Sequence, residues 1–327
     1  MQSTRPFTVV SLFSGAGGFD LGFHQQGFDV IWANDNNKDA CATHRSWSNS
    51  QITQKDINQI PLTNIPHSDV IIGGFPCQGF SLAGPRKIDD TRNSLYKAFV
   101  KLVEEKQPLC FVAENVKGLL TLGQGKIMEA ILDDFSNKGY DVKIHQANAK
   151  DYGIAQDRAR IFIVGFRKDL SLVDQFDFPK PTNEKFTLLD ALKDLPHPNP
   201  NDVCMAPFSS RYLSRNRKRD WDQVSFTIPA TAKQITLHPS SPNMQKIQSE
   251  VWSFGVGETR RLSWQEAASI QSFPKDFYFV GNLTSKYKQI GNAVPPKLAG
   301  YIAQAIQTCL ASLPLPSSES HVDAKTI

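Results

Sequence analysis

The stretch Thr8-Val9-Val10-Ser11-Leu12-Phe13-Ser14-Gly15-Ala16-Gly17-Gly18 opens the chain with an apolar strand, a glycine-rich turn and the start of a helix. Glycines at such a turn let the backbone approach a ligand, and the amides of the helix N-terminus then face it. Asp35 lies twenty residues after Gly15, at the end of the next apolar run, where a carboxylate can take both hydroxyls of a ribose. Alone, the motif fits a nicotinamide dinucleotide site or a plain tight turn.

Working outward, residues 8–13, 30–33, 70–72 and 109–113 read as buried strands, and residues 161–166 as one more. Leu95, Phe99, Leu102 and Val103 recur at helical spacing, as do Ile127, Ile131, Leu132 and Phe135. Strands alternating with helices predict an α/β fold with a parallel sheet covered on both faces. The pattern dissolves over residues 178–207, which carry six prolines and mark a boundary into a smaller irregular domain. Helical pattern returns at residues 263–272 and 298–310, and the Ser- and Pro-rich tail from Leu313 reads as loose.

Two strand ends carry chemistry. The run Val70-Ile71-Ile72 leads into Gly73-Gly74-Phe75-Pro76-Cys77-Gln78-Gly79-Phe80-Ser81, which puts a thiol on a proline-containing turn. The run Leu109-Cys110-Phe111-Val112-Ala113 leads into Glu114-Asn115-Val116. A lone cysteine is most often an inert buried thiol, but a nucleophile and an acid facing one pocket suit a ring that must be attacked at one atom and protonated at another. Cytosine is such a ring: C5 is a poor nucleophile until a thiolate adds to C6, helped by a proton at N3. A free thiol with a pKa of about 8.5 is handicapped by only ~1–2 kcal/mol near neutral pH. An exposed glutamate would be protonated only at a cost of ~3–4 kcal/mol, so Glu114 must be desolvated or share its proton with the ring.

With these motifs in order, followed by Gln156-Asp157-Arg158-Ala159-Arg160, Arg261-Leu262-Ser263, Gln271-Ser272-Phe273-Pro274 and Gly291-Asn292-Ala293-Val294-Pro295, the chain resembles the DNA cytosine-5 methyltransferases from Phe7 to Ala311. The resemblance implies a Rossmann-like, S-adenosyl-L-methionine-dependent methyltransferase fold with a mixed, mostly parallel sheet and a second, smaller DNA-recognition domain. It divides the chain into residues 1–166 (catalytic and cofactor-binding), 167–259 (target recognition), 260–312 (return to the catalytic domain) and 313–327 (tail). It assigns Cys77 as nucleophile, Glu114 as the acid at N3, and Arg158 and Arg160 as the groups that orient Glu114 and contact O2 of a flipped cytosine. Both arginines, at spacing two, would then share one face. The cofactor site would be built from Phe13, Ser14, Gly15, Gly17, Gly18, Asp35, Asp56, Ile57, Pro76, Asn292 and Val294. Asn36 follows Asp35 where the family usually has an apolar or aromatic residue.

Contacts to double-stranded DNA are expected from Gln78 and Ser81, from Arg86 and Arg92 in a basic stretch resembling the family's loop that closes over DNA, and from Arg211, Arg215, Arg217 and Arg219. The last four, with Lys218, make five cations in nine residues without an acid, a pattern suited to phosphates and guanine edges. Its bland reading is a solvated basic helix. With Trp221, Phe226-Thr227-Ile228-Pro229-Ala230 and Leu237-His238-Pro239 it resembles the recognition segment of bacterial modification enzymes that methylate the inner cytosine of GGCC.

Composition adds bounds. Hydrophobic residues at 40% suffice for a large core, and a net charge of +4 does not by itself imply a nucleic-acid partner. Five cysteines without paired spacing fit a reduced, cytoplasmic protein and no metal site. No run approaches the ~18 apolar residues of a membrane span, and residues 1–6 have no apolar leader. The expectation is a monomeric bacterial enzyme, with a companion restriction endonuclease acting separately. Its rivals are a tRNA cytosine-5 methyltransferase, a nicotinamide-dependent oxidoreductase and an inactive DNA-binding protein.

Overall fold

The computed structural model describes residues 5–76, 94–182 and 184–313. Seven strands form one sheet: β1 (Thr8–Leu12), β2 (Asp29–Asp35), β3 (Gln51–Gln54), β4 (Val70–Gly73), β5 (Cys110–Val116), β6 (Tyr140–Asn148) and β7 (Ala159–Arg167). Their order across the sheet is β3-β2-β1-β4-β5-β7-β6. The first five are parallel, and β7 runs antiparallel to both β5 and β6. The chain leaves β1 in one direction for β2 and β3, then resumes on its other side at β4. This reversal opens a crevice beyond the carboxyl ends of β1 and β4.

Alternation along the central strands sends side chains to two cores. Val9, Val70, Ile72, Val112 and Val164 face α1 (Gly18–Gln25) and α8 (Pro296–Leu310). Val10, Ile71, Phe111, Ala113 and Ile163 face α3 (Ser94–Lys106) and α4 (Lys126–Asn137). Helix α8 lies so close to α1 that a Cβ at Gly22 would stand 2.4 Å from that of Ala299. Residues 296–310 thus return to cover the sheet.

A third cluster joins Leu188 and Leu192 of the short α5 (Leu188–Leu192), Ile228, Ile235, and residues of α6 (Trp264–Ile270) and α7 (Leu283–Asn292) to Ala16 and Leu21. Helix α6 is closed at its N-terminus by a capping box between Ser263 and Glu266. Helix α2 (Lys38–Trp47) packs beside β2 and β3. Residues 211–219 do not form the helix of the bland reading, because the only helical element there is a 3₁₀ turn at Tyr212–Ser214. Among the described residues, no helix is long and apolar enough to cross a membrane.

Candidate active site

One cavity of about 670 Å³ opens at the carboxyl ends of β1, β2, β4 and β5. Its wall begins with the turn after β1, where Phe13 (φ 55°), Gly15 (φ 57°) and Gly17 (φ 85°) all take left-handed backbone angles. Gly17 is required twice over: its φ disfavours a side chain, and a Cβ there would lie 2.4 Å from the Trp47 ring. A Cβ at Gly18 would lie 2.5 Å from the carbonyl oxygen of Val294, so the turn sits directly on the link between α7 and α8. The turn is backed by side chains not identified from sequence, the buried Asp20, Ser11 and His44 and the half-buried Trp47. Asp20 accepts from Ser11 Oγ at 2.5 Å and lies 2.6 Å from His44 Nε2, while Trp47 Nε1 donates to the Ala16 carbonyl at 3.0 Å.

Asp35 ends β2. One carboxylate oxygen accepts the Gly15 amide at 2.9 Å and the other the Asn37 amide at 2.7 Å. Burial pushes its pKa up, against those amides and the charge of Lys288. The neighbouring Asn34 donates to the carbonyls of Thr53 and Lys55, fixing the segment that brings Asp56 and Ile57 to the cavity. Asp56 caps the following 3₁₀ turn through the Asn58 amide. Phe13, Asp35, Asp56, Ile57, Asn292 and Val294 all line this one cavity.

Pro76, Glu114, Arg158 and Arg160 line the same cavity. Glu114 pairs with Phe162 across the antiparallel β5–β7 ladder and Val116 with Arg160, so Glu114 and Arg160 are diagonal neighbours on one face. Their side chains meet at 2.9 Å from Arg160 Nε to Glu114 Oε1. Burial raises the pKa of Glu114, opposed by the charges of Arg160 and Arg158. A carboxyl held in this balance keeps a proton more readily than an exposed glutamate while remaining oriented by a cation.

The two arginines do not act alike. Arg158 precedes β7, and its guanidinium donates to the carbonyls of Gly291 (3.0 Å), Ala293 (2.9 Å) and Ile228 (3.5 Å) rather than to Glu114. Both arginines line the cavity, but only Arg160 bonds Glu114, since the two terminal nitrogens of Arg158 are bound to the carbonyls of residues 228, 291 and 293. Arg217, expected to contact DNA, is also turned inward. It is 4% exposed, and its guanidinium donates to the carbonyls of Tyr212, Gln234 and Arg211 and to Gln234 Oε1. Arg219 lies half-buried with its guanidinium 4.1 Å above the Phe226 ring, whereas Arg211 and Arg215 are exposed. Cys77, Gln78, Ser81, Arg86 and Arg92 lie outside the described residues. Among the described residues no cluster of side chains could hold a metal ion.

Residues 7–308 match the family model described as C-5 cytosine-specific DNA methylase. The Type II methyltransferase M.MthTI of Methanothermobacter thermautotrophicus is 42% identical to this chain, the match covering 91% of this chain and 96% of that protein. The Type II methyltransferase M.NgoPII of Neisseria gonorrhoeae is 40% identical, covering 95% and 99%. Among solved structures, a protein encoded within an E. coli prophage superposes with a TM-score of 0.72 at 26% identity, covering 93% of this chain and 99% of that one. The Entamoeba histolytica methyltransferase EhMeth shares the fold with a TM-score of 0.70 at 14% identity, covering 94% and 99%.

Proposed function

This chain belongs to the C-5 cytosine-specific DNA methylase family, and on that premise we propose that it is a Type II modification enzyme that methylates the inner cytosine of GGCC in duplex DNA. A companion endonuclease would cut the same site when it is unmethylated. The observation that carries this reading is the single cavity in which Phe13, Asp35 and Asn292 stand with Glu114 and Arg160. A cofactor and a base held there would be close enough to react.

The residues present fit S-adenosyl-L-methionine. Each oxygen of Asp35 accepts one amide, and a carboxylate keeps further lone pairs for ribose hydroxyls. A Cβ added at Gly15 would meet nothing within 4 Å, so the turn leaves room for a ligand, and Phe13 and Ile57 offer apolar surface to an adenine. When bound, the cofactor supplies the methyl group that C5 receives.

The chain's own residues do the rest. The cytosine leaves the base stack, because its C6 is out of reach within a duplex. Cys77, next after Pro76, adds its thiolate to C6. Glu114, held by Arg160, supports a proton at N3, which makes C6 electrophilic enough to accept the thiolate; the electron pair brought in at C6 then makes C5 nucleophilic. After C5 is methylated, loss of its proton restores the aromatic ring and expels the thiolate of Cys77. Arg158, bound to backbone carbonyls, shapes the wall of the cavity. Residues 167–259 serve as the recognition part, with Arg211 and Arg215 free to meet DNA.

Bisulfite sequencing of plasmid DNA from cells expressing the protein tests the site. Protection confined to the inner cytosine of GGCC is expected. Protected cytosines lying consistently in another sequence would refute the specificity while leaving the chemistry intact.

A further inference from the structure

Three buried polar side chains that the chemistry above does not use converge between the active-site cavity and the recognition part. Gln156 and Gln271 are fully buried, and Arg158 is 2% exposed. Gln156 Nε2 donates to Gln271 Oε1 at 2.8 Å, and Gln156 Oε1 accepts the Ile228 amide at 2.9 Å. Gln271 Nε2 in turn donates to the Ile290 carbonyl at 2.7 Å. Arg158 closes the figure through the carbonyls of Gly291, Ala293 and Ile228.

The network has two ends. One is the backbone of Ile228, in the segment of residues 225–230 that runs on from the basic stretch, pairs in parallel with Gln156 and Asp157 through Ser225 and Phe226, and is tied again by Thr227 Oγ1 donating to the Asp157 carbonyl at 2.7 Å. The other is the backbone of residues 290–293, which places Asn292 in the cavity wall. Packing allows no slack between them, since a Cβ on Gly291 would stand 2.4 Å from the Ala230 nitrogen. Buried polar groups deprived of partners are costly. A displacement of residue 228 must therefore either carry residues 290–293 with it or break buried hydrogen bonds.

We infer that Gln156, Arg158 and Gln271 are positioning residues that couple DNA engagement by the recognition part to the affinity of the cofactor cavity. This rests on the site reading given above. Linkage makes the effect reciprocal: a bound cofactor tightens DNA to the same degree that DNA tightens the cofactor.

The test is calorimetric titration of the full chain with S-adenosyl-L-homocysteine, which has no methyl group to transfer, with and without a saturating GGCC duplex. The parent is expected to bind at least ~5-fold more tightly with DNA present. Gln271→Met removes both the acceptor for Gln156 and the donor to Ile290, and should bring that ratio close to one while each ligand alone binds within a few-fold of the parent. A merely structural role would lower the melting temperature without moving the ratio. If Gln271→Met does not fold, Gln156→Glu, which keeps the acceptor for Ile228 and loses the donor to Gln271, should show the same collapse. A parent ratio of one, or a variant that keeps the parent's ratio, overturns the coupling alone. A parent that binds neither compound overturns the reading of the site, and the coupling with it.

Discussion

Arg160 at the rim of the sheet and Arg217 in the segment from residue 167 to 259 use their guanidinium groups differently. At the rim, Arg160 sits at the start of a regular strand paired across the ladder, and its side chain meets a carboxylate in the cavity while donating one further bond to the Ala159 carbonyl. Among the described residues of the irregular segment, strands are confined to Ser225–Phe226 and the hairpin Gln245–Gln248/Val251–Ser253, with isolated bridges at Val203 and Leu237. Many buried carbonyls there need another donor. A guanidinium offers five N–H groups, and Arg217 donates to three backbone carbonyls and one side chain. Arg261, at the segment's far border, does the same for Cys204 and Ala206 while lying 3.9 Å above the Phe208 ring. Where secondary structure is sparse, a count of cations overstates the charge that faces DNA.

The largest effect is expected of Cys77→Ala. Methylation should disappear entirely, together with covalent trapping on duplexes carrying 5-fluorocytosine, whose C5 cannot lose fluorine as a proton. Gel-shift binding of the unmodified duplex should persist. Measurable turnover by this variant would remove the thiol from the mechanism.

Glu114→Gln comes next, with an expected loss of at least ~100-fold in the methyl-transfer rate, the usual scale for a positioned acid. Cofactor affinity, read by titration, should barely change because Asp35 and the glycine turn are untouched. Single-turnover kinetics within a few-fold of the parent would mean that another group assists N3.

Much of this rim was legible in the sequence. Strands β1, β2, β4 and β5 are covered on both faces and so appear as apolar runs, and Asp35 and Glu114 stand where those runs end. The edge strands β3 and β6 were not legible. Ile52 is the only buried residue of β3, and β6 alternates partly exposed polar and apolar side chains, so neither carries a strong run. The parting of Arg158 from Arg160 could not be seen either, since spacing fixes only the face from which a side chain departs. Its partner is a carbonyl more than a hundred residues away. The inward turn of Arg217 was hidden for the same reason. A faint signal lay in Tyr212, whose burial and position below the Arg217 guanidinium at 4.9 Å mark an apolar nucleus inside the basic stretch.

The irregular segment is broken most severely through its buried arginine. Arg217→Met should lower stability by ~2–4 kcal/mol, because it leaves buried carbonyls without donors, whereas Arg215→Met should stay within ~0.5 kcal/mol of the parent, as exposed substitutions do. Thermal melting of the two variants side by side reads the difference. Equal losses would erase the distinction between inward and outward cations.

A smaller effect separates the regions by pH. Burial pushes the pKa of His238 down to about 4, against the attraction of Glu266 and with the help of Arg260 and His197. Its folded pKa is lowered, so between about 6.5 and about 4 the unfolded chain binds the extra proton, and stability falls as pH falls through that window. The slope from this one group is at most ~1.4 kcal/mol per pH unit. His238→Gln should flatten denaturation midpoints across the window, and an unchanged slope would place the acid sensitivity elsewhere.

The smallest expected effect belongs to the exposed cations, and it bears most directly on the comparison. If Arg211 and Arg215 face DNA, each replacement by alanine removes one phosphate contact or one base contact, and salt separates the two cases. A phosphate contact neutralises a charge and releases a counterion, so its loss should weaken GGCC and unrelated duplexes alike and reduce the slope of log affinity against log salt by about one. A guanine contact should instead cost ~1–3 kcal/mol on GGCC only and relax the preference at one position. Arg217, its guanidinium held by carbonyls, predicts neither signature: a variant there that still folds should leave the salt slope where the parent has it. Filter binding over a range of salt concentrations measures all three. A reduced slope for Arg217→Met with an unchanged one for Arg211→Ala and Arg215→Ala would reverse the assignment of which cations meet the duplex.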